Sequence, residues 1–124
     1  MKKTCKLRKI IREYLIEVIP DDRLFYGFNN GNNLWKVNYK LTRSGFGDAA
    51  DDITLEINIW DTDSLHADEL TDIIEELLNY RNQNAYGCYP TFYLNSKRDV
   101  DDQDKRIERR MLTYNIRNYG GNDG

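Results

Sequence analysis

The segment ITLEINIWDTDSLHAD, residues 53–68, contains the end of one periodicity and the start of another. In its first half, every second residue is a large aliphatic one: Ile53, Leu55, Ile57 and Ile59. Alternation of this kind is typical of a β-strand that buries one face. From Ser64 onward the apolar residues recur at helical spacing instead, so the segment predicts a strand that passes directly into a helix.

The predicted helix runs from about Ser64 to Arg81 and has two chemically different sides. Its buried face is predicted to consist of Leu70, Ile73, Ile74, Leu77 and Leu78. Its outer face is acidic and consists of Asp68, Glu69, Asp72, Glu75 and Glu76. The helix is therefore expected to pack its apolar side on a sheet and to leave its acidic side exposed.

The junction between strand and helix gathers polar groups around His66, the only histidine of the chain. The nearby carboxylates belong to Asp61, Asp63 and Asp68. A calcium loop counted from Asp61 fails at its fifth, sixth and twelfth positions. Aspartate and serine are preferred helix N-caps, so we interpret the cluster as the start of the helix. A small metal-dependent enzyme that uses Asp61, Asp63 and His66 is the alternative.

Similar patterns on both sides of this segment predict the rest of the fold. Residues 7–18 form an amphipathic helix that Pro20 ends. Further strands are predicted at residues 23–28, 34–42, 88–94 and 107–119. The strand at 34–42 and the strand at 53–60 are expected to form an antiparallel hairpin. Two long polar connections, residues 43–52 and 95–106, are predicted to protrude from the sheet.

The predicted fold class is α+β, with a mostly antiparallel sheet of about five strands packed by two helices. The element order is α-β-β-β-α-β-β, and the two long loops each join neighbouring strands. One α+β domain is expected over residues 1–119, followed by a flexible tail at 120–124.

Composition narrows the possible functions. The chain has 124 residues and a net charge of −3, so it lacks the overall basic excess of proteins that grip phosphate backbones. Its two cysteines, Cys5 and Cys88, are expected to be free thiols in a reducing compartment. No stretch is apolar enough to span a membrane. No nucleophile motif accompanies the lone histidine, so we expect no enzymatic activity and no cofactor.

Basic residues near the C-terminus leave a nucleic-acid-binding domain as another alternative. They are Lys97, Arg98, Lys105, Arg106, Arg109 and Arg110. Aspartates such as Asp99, Asp101 and Asp104 alternate with them. Mixed charges at this density are more typical of a solvated loop or a charge-complementary protein interface.

Four segments resemble one family of virion proteins. They are the helix end EVIPDDRLFYGF, the hairpin VNYKL and ITLEINIWD, the helix ADELTDIIEELLNY and the final strand RRMLTYNIRNY. In order and size they resemble the tail terminator, or tail-to-head joining, proteins of long-tailed bacteriophages. The resemblance covers nearly the whole chain and rests on element order and on the junction at Trp60 and Asp61, since no invariant motif is present.

This resemblance implies a structural role in the virion. Proteins of that family form a hexameric ring at the end of the tail tube, stop its polymerisation and provide the surface that docks the head. The implied partners are further copies of the chain, the major tail tube protein and a head-completion or connector protein. Assembly is implied in the host bacterial cytoplasm, and DNA would pass through the ring without specific binding. A head-closure protein or minor capsid adaptor is the close alternative.

The resemblance also implies which residues make contacts. The two protruding loops would meet the tube or the head, with candidate residues Arg43, Phe46, Asp48, Lys97, Arg98 and Asp99. A cyclic ring needs two different patches that fit each other. Charge segregation indicates acidic residues of the second helix and basic residues of the last strand as these patches: Glu69, Asp72, Glu76, Arg109, Arg110 and Arg117.

Overall fold

A computed structural model describes residues 7–27, 34–44, 52–79 and 90–118. It contains the predicted antiparallel hairpin, formed by β2 (Lys36–Ser44) and β3 (Asp52–Asp61). Val37 lies opposite Ile59, and Tyr39 lies opposite Ile57. All four of these side chains are buried, because the alternating pattern turns them to the same face. The predicted hairpin is therefore confirmed in its pairing and its buried face.

Three further strands complete one sheet in the order β1-β2-β3-β5-β4. They are β1 (Leu24–Tyr26), β4 (Pro90–Val100) and β5 (Glu108–Asn118). β1 pairs with β2 in parallel, and every other neighbouring pair is antiparallel. The predicted α+β class, with five strands in a mostly antiparallel sheet, is confirmed.

Both helices pack on the same face of this sheet. They are α1 (Leu7–Leu15) and α2 (Ser64–Leu78), and a short 3-10 turn (Asp21–Arg23) follows Pro20. The apolar stripe of α1 enters the shared core, where Tyr14 packs against Phe92 of β4 at 6.0 Å between ring centroids. Neither helix in the described ranges has the length and apolarity needed to cross a bilayer.

The buried face of α2 differs from the predicted one at Ile73. The helix turns Leu70, Ile74 and Leu78 toward the sheet, while Ile73 is 42% exposed. Consecutive helical residues are rotated by about 100°, so Ile73 falls on the flank when Ile74 faces the sheet. The helix also ends at Leu78 rather than near Arg81, since Asn79 has an extended backbone conformation.

The prediction of a loop at residues 95–106 is wrong over the first half of this range. β4 continues to Val100, which pairs with Arg109 of β5, and only residues 101–107 connect the two strands. A register shift between Leu94 and Ser96 carries the ladder past Asn95. The segment is polar because β4 is an edge strand, and charged residues are common there.

Several predicted features fall on residues that the structure leaves undescribed. They include residues 45–51 of the β2–β3 connection, the tail at 120–124, and both cysteines, Cys5 and Cys88.

Two isoleucines test the corrected core. Ile57→Ala is expected to lower the free energy of unfolding by about 2–5 kcal/mol, because Ile57 is fully buried under α2. Ile73→Ala removes the same atoms from a partly exposed flank and is expected to cost less than about 1 kcal/mol. Urea unfolding followed by circular dichroism measures both values. Equal losses for the two variants would contradict this assignment of the core.

Tyr114 provides a second test, because its fully buried hydroxyl has no hydrogen-bond partner within the described part of the chain. Burial, followed by the negative charge of Glu75, raises the pKa of Tyr114 in the folded state. In the unfolded chain tyrosine ionises near pH 10, so stability is retained below about pH 10 and falls above it.

Tyr114→Phe is therefore expected to reduce the loss of stability between neutral and strongly alkaline pH. Thermal melts across this range measure the change in stability. Tyr93→Phe is the matched control, because Tyr93 is 51% exposed. A Tyr93→Phe profile that flattens as much as that of Tyr114→Phe refutes the prediction.

Candidate functional site

The strand–helix junction is held by two aspartates with separate tasks. Asp61, at the end of β3, is buried, and its Oδ1 accepts hydrogen bonds from the amides of Thr62 at 2.7 Å and Asp63 at 3.0 Å. Asp63 is the N-cap of α2, and its Oδ1 accepts from the amides of Leu65 at 3.0 Å and His66 at 3.2 Å. The predicted capping role is confirmed, and it falls to Asp63.

The histidine is bound into the same junction. His66 Nδ1 lies 2.5 Å from Asp61 Oδ2, and the imidazole meets the Trp35 ring edge-on at 5.0 Å between centroids. Arg23 in turn donates to the carbonyl of Trp35 at 2.7 Å. This chain of contacts connects the start of α2 to the segments around β1 and β2. The described residues contain no group of three or more potential metal ligands.

Arg110 organises the charges between α2, β4 and β5. Its guanidinium donates to Asp68 at 2.9 Å and to Glu108 at 3.2 Å, and it forms an ion pair with Asp99 at 3.2 Å. Burial by itself lowers the pKa of Arg110, but hydrogen bonds to Asp68 and Glu108 outweigh this effect and raise it. Arg110 is therefore neutralised within its own chain.

Lys97 connects β4 to α2 in a similar way. Its ammonium group lies 2.8 Å from Glu75 Oε1 and 3.2 Å from Asp72 Oδ1. Hydrogen bonds to Glu75 and then Asp72 raise the pKa of Lys97. Lys97 and Arg110 line an open polar cleft of about 350 Å³ between α2 and β4. Charges of both signs line this cleft, so it favours no ligand of a single charge.

The opposite face of the sheet carries a different cluster, centred on Trp60. Arg109 lies over the Trp60 ring at 4.3 Å, and Lys36 lies 5.6 Å from the ring centroid. Arg109 also donates to Asn58 Oδ1 at 2.9 and 3.2 Å, and Asn58 donates to Glu56 at 2.8 Å. Two cations are thus held beside an aromatic ring on the sheet face that the helices leave uncovered.

The turn between β4 and β5 is ordered by its own aspartates. Asp102 accepts from the amide of Asp104 at 2.9 Å, and Asp104 pairs with Arg106 at 2.8 Å. Hydrogen bonds from the Arg106 side chain and then its amide lower the pKa of Asp104 to about 2. One ion pair and a carboxylate–amide hydrogen bond therefore order this connection, which is exposed at one end of the sheet.

The residues that were predicted to make contacts from loops do not all lie in loops. Lys97, Arg98 and Asp99 belong to strand β4, where Lys97 and Asp99 turn toward α2. The register alternates Arg98 to the other face at this edge strand, and Arg98 also borders the cleft between α2 and β4. Arg43 lies in β2 opposite Ile53. Phe46 and Asp48 are outside the described residues.

The predicted interface residues also divide between two faces. Glu69, Asp72 and Glu76 are exposed on α2, as their spacing implied. On β5, Arg110 faces α2, whereas Arg109 and Arg117 lie on the opposite face. The role of either group in an interface stays a prediction.

No local pattern in the sequence predicts the cluster around Trp60. Residues two apart on a strand share a face, so Trp60, Asn58 and Glu56 belong together on β3. Their alignment with Lys36 and Arg109 depends on the register of the β2–β3 hairpin and on the pairing of β3 with β5. The sequence predicted the hairpin, but neither its register nor the pairing with β5.

Comparison with known proteins adds a structural relationship. No protein-family model matches the chain, and no curated protein matches it. Among solved structures, the fold is similar to that of a chain in the virion of native gene transfer agent (GTA) particle, with a TM-score of 0.62. The two chains are 7% identical, and the match covers 94% of this chain and 92% of the other. This likeness shows a shared α+β fold over nearly the whole of both chains.

The capping interpretation predicts how variants of Asp63 behave. Asp63→Ala is expected to cost about 1 kcal/mol of stability, because two amides in the first turn of α2 lose their acceptor. Asp63→Asn retains a side-chain oxygen and is expected to cost only a few tenths of that. Thermal melts compare the two variants. Equal destabilisation by Asn and Ala would show that the charge of Asp63 matters and the cap does not.

Proposed function

We propose that this chain is a structural protein of a phage-like virion that caps the tail tube as a ring. In this role it ends tail polymerisation and forms the docking surface for the head. The observation that carries the proposal is the fold shared with a virion chain over 94% of this sequence. The match also covers 92% of the virion chain, so the likeness concerns the two folds as wholes.

The positions of the two connections support a protein with two docking ends. The β2–β3 connection leaves the sheet at Ser44 and returns at Asp52, beside the end of β5. The β4–β5 connection, residues 101–107, lies at the opposite end, beyond Asp61. Strands of ten residues separate the two ends by about 30 Å. A subunit between tail tube and head needs separate contact regions of this kind.

The chemistry of the junction supports a role without catalysis. Asp61 and Asp63 bind backbone amides and His66, and Asp68 binds Arg110. These carboxylates act in the architecture of α2, so we propose no enzymatic activity and no cofactor. The proposed partners are further copies of the chain in a ring, expected to be a hexamer, the tail tube protein and a head-completion protein. The ring would sit at the tail–head interface, with DNA passing through it.

Deletion of the gene in the element that encodes the chain tests this proposal. We expect overlong tails of variable length and heads that lack tails, as seen by negative-stain electron microscopy. A plasmid that expresses the wild-type chain should restore uniform tails. The same plasmid with a stop codon early in the gene is the control.

Two other outcomes would refute the proposal in different ways. Normal tails together with heads that have lost their DNA would indicate a head-closure protein. Unchanged particles and unchanged yields would remove the virion role altogether.

A further inference from the structure

The strand register arranges the side chains of the uncovered sheet face in rows. One row contains Lys36, Trp60, Arg109 and Val100, and the next contains Asn38, Asn58, Met111 and Arg98. Lys40 and Glu56 lie in the third row. In the part of the chain that the structure describes, both helices pack on the other face. This face, here called the open sheet face, is exposed at Lys40, Arg98 and Arg117 and half-buried at Trp60, Arg109 and Met111, whereas Lys36, Asn38 and Asn58 are buried within it.

The open sheet face is basic although the whole chain is acidic. Its accessible positively charged residues are Lys40, Arg98, Arg109 and Arg117, while Lys36 is buried beside Trp60. Glu56 is the one carboxylate among its described side chains, and it accepts a hydrogen bond from Asn58. The net charge of the whole chain is −3, so this face differs in sign from the chain as a whole.

The cations near Trp60 are ordered before any partner binds. Arg109 is fixed by two hydrogen bonds to Asn58 and by its position over Trp60. These partners are neutral, so they restrict the guanidinium without cancelling its charge. A side chain that is already ordered loses less conformational entropy when it forms an ion pair.

The outward side of α2 has the complementary properties. Its exposed stripe comprises Leu65, Glu69, Asp72, Ile73 and Glu76. Leu65 is 69% exposed and Ile73 is 42% exposed. The stripe therefore combines an apolar part with carboxylates around it. Trp60 and Met111, with the Arg109 guanidinium over the Trp60 ring, provide the matching arrangement on the open sheet face.

We propose that the outward stripe of α2 in one copy of the chain docks on the open sheet face of the next copy. The two patches differ, so the contact is heterologous and can close into a ring. The stripe from Leu65 to Glu76 is about 16 Å long. The open sheet face measures about 14 Å from β2 to β4. These dimensions match a helix that lies across the strands. The inference rests on the proposed function and identifies the subunit contact that its ring requires.

A second copy fits the open sheet face better than a nucleic acid does. The chain itself carries an acidic patch of matching length, with apolar residues that a phosphate backbone would leave exposed to water. A nucleic acid that reached the open sheet face would also approach a protein of net negative charge.

Charge reversal followed by mixing tests the contact. Glu69→Lys/Glu76→Lys makes the helix patch basic, and Arg98→Glu/Arg109→Glu makes the sheet patch acidic. Each variant alone presents like charges at both patches, so its self-association is expected to weaken roughly tenfold or more. Mixed together, the variants are complementary at every contact, and association is expected to return. Sedimentation velocity at low and high salt measures both effects.

Matched controls change the same net charge away from the contact. They are Lys105→Glu/Arg106→Glu in the β4–β5 turn and Glu13→Lys/Glu17→Lys on α1. Arg110 is left unchanged, because its reversal would break the pairs with Asp68 and Asp99 inside the subunit. If a reversed variant fails to fold, Glu69→Gln/Glu76→Gln and Arg98→Gln replace it, and weaker association is again expected.

Three results would overturn the inference. The first is a wild-type chain that stays monomeric at its highest soluble concentration in low salt. The second is unchanged association in both reversed variants. The third is a gel shift in which Arg98→Glu/Arg109→Glu abolishes DNA binding while self-association is retained. Failure here with overlong tails in the deletion strain would leave the capping function intact and assign the ring contact to other surfaces.

Discussion

The architecture depends on the buried carboxylate of Asp61 at the end of β3. A buried carboxylate must be fully hydrogen-bonded, and this one is satisfied by two amides of the following turn and by His66. These hydrogen bonds hold the turn after β3, and α2 begins directly after it with Asp63 as its N-cap. Because the helix starts at a fixed point and angle, Leu70, Ile74 and Leu78 meet the inner face of the sheet. The same geometry turns Glu69 and Glu76 to the outside.

The partners of the charged residues divide the surface into two kinds. Between α2 and β4, Lys97 and Arg110 are paired with carboxylates of their own chain. Their positive charges stabilise the packing of the helix and are outnumbered by these carboxylates, so neither cation is left for a partner. On the other face, Arg109 is held by Asn58 and Trp60, which order it and leave its charge in place. Its neutral partners therefore make this face the more suitable one for recognition of a carboxylate.

The sequence predicted those features that depend on local periodicity. The alternation at Ile53–Ile59 and the helical spacing after Ser64 identify the hairpin, the second helix and the side of the sheet that is buried. The cap at Asp63 followed from the preference of helix starts for aspartate. These features need no knowledge of distant partners.

The features that the sequence did not predict all depend on register between distant segments. The ladder with β5 extends β4 to Val100 through residues that are polar enough to form a loop. α2 is rotated on the sheet so that Ile74 faces the core, and its neighbour Ile73 is therefore partly exposed. Arg109 and Arg110 are neighbours in sequence, but they lie on opposite faces because β5 is a strand at that point. Charge segregation along the sequence therefore grouped residues that the fold separates.

The directions of the proposed contacts are consistent with a ring that joins two different structures. Docking of α2 on the open sheet face of a neighbour stacks copies along the normal to the sheet. The ends of the strands, where β2 is joined to β3 and β4 to β5, lie in a perpendicular direction. Self-association through the faces therefore leaves both ends of the sheet uncovered.

Copies arranged in this way around an axis parallel to the strands would present all of their β4–β5 turns at one end of the ring. All of their β2–β3 connections would lie at the other end. A ring with two chemically different ends can bind one partner on each side, which is the geometric requirement for a subunit placed between a tail tube and a head.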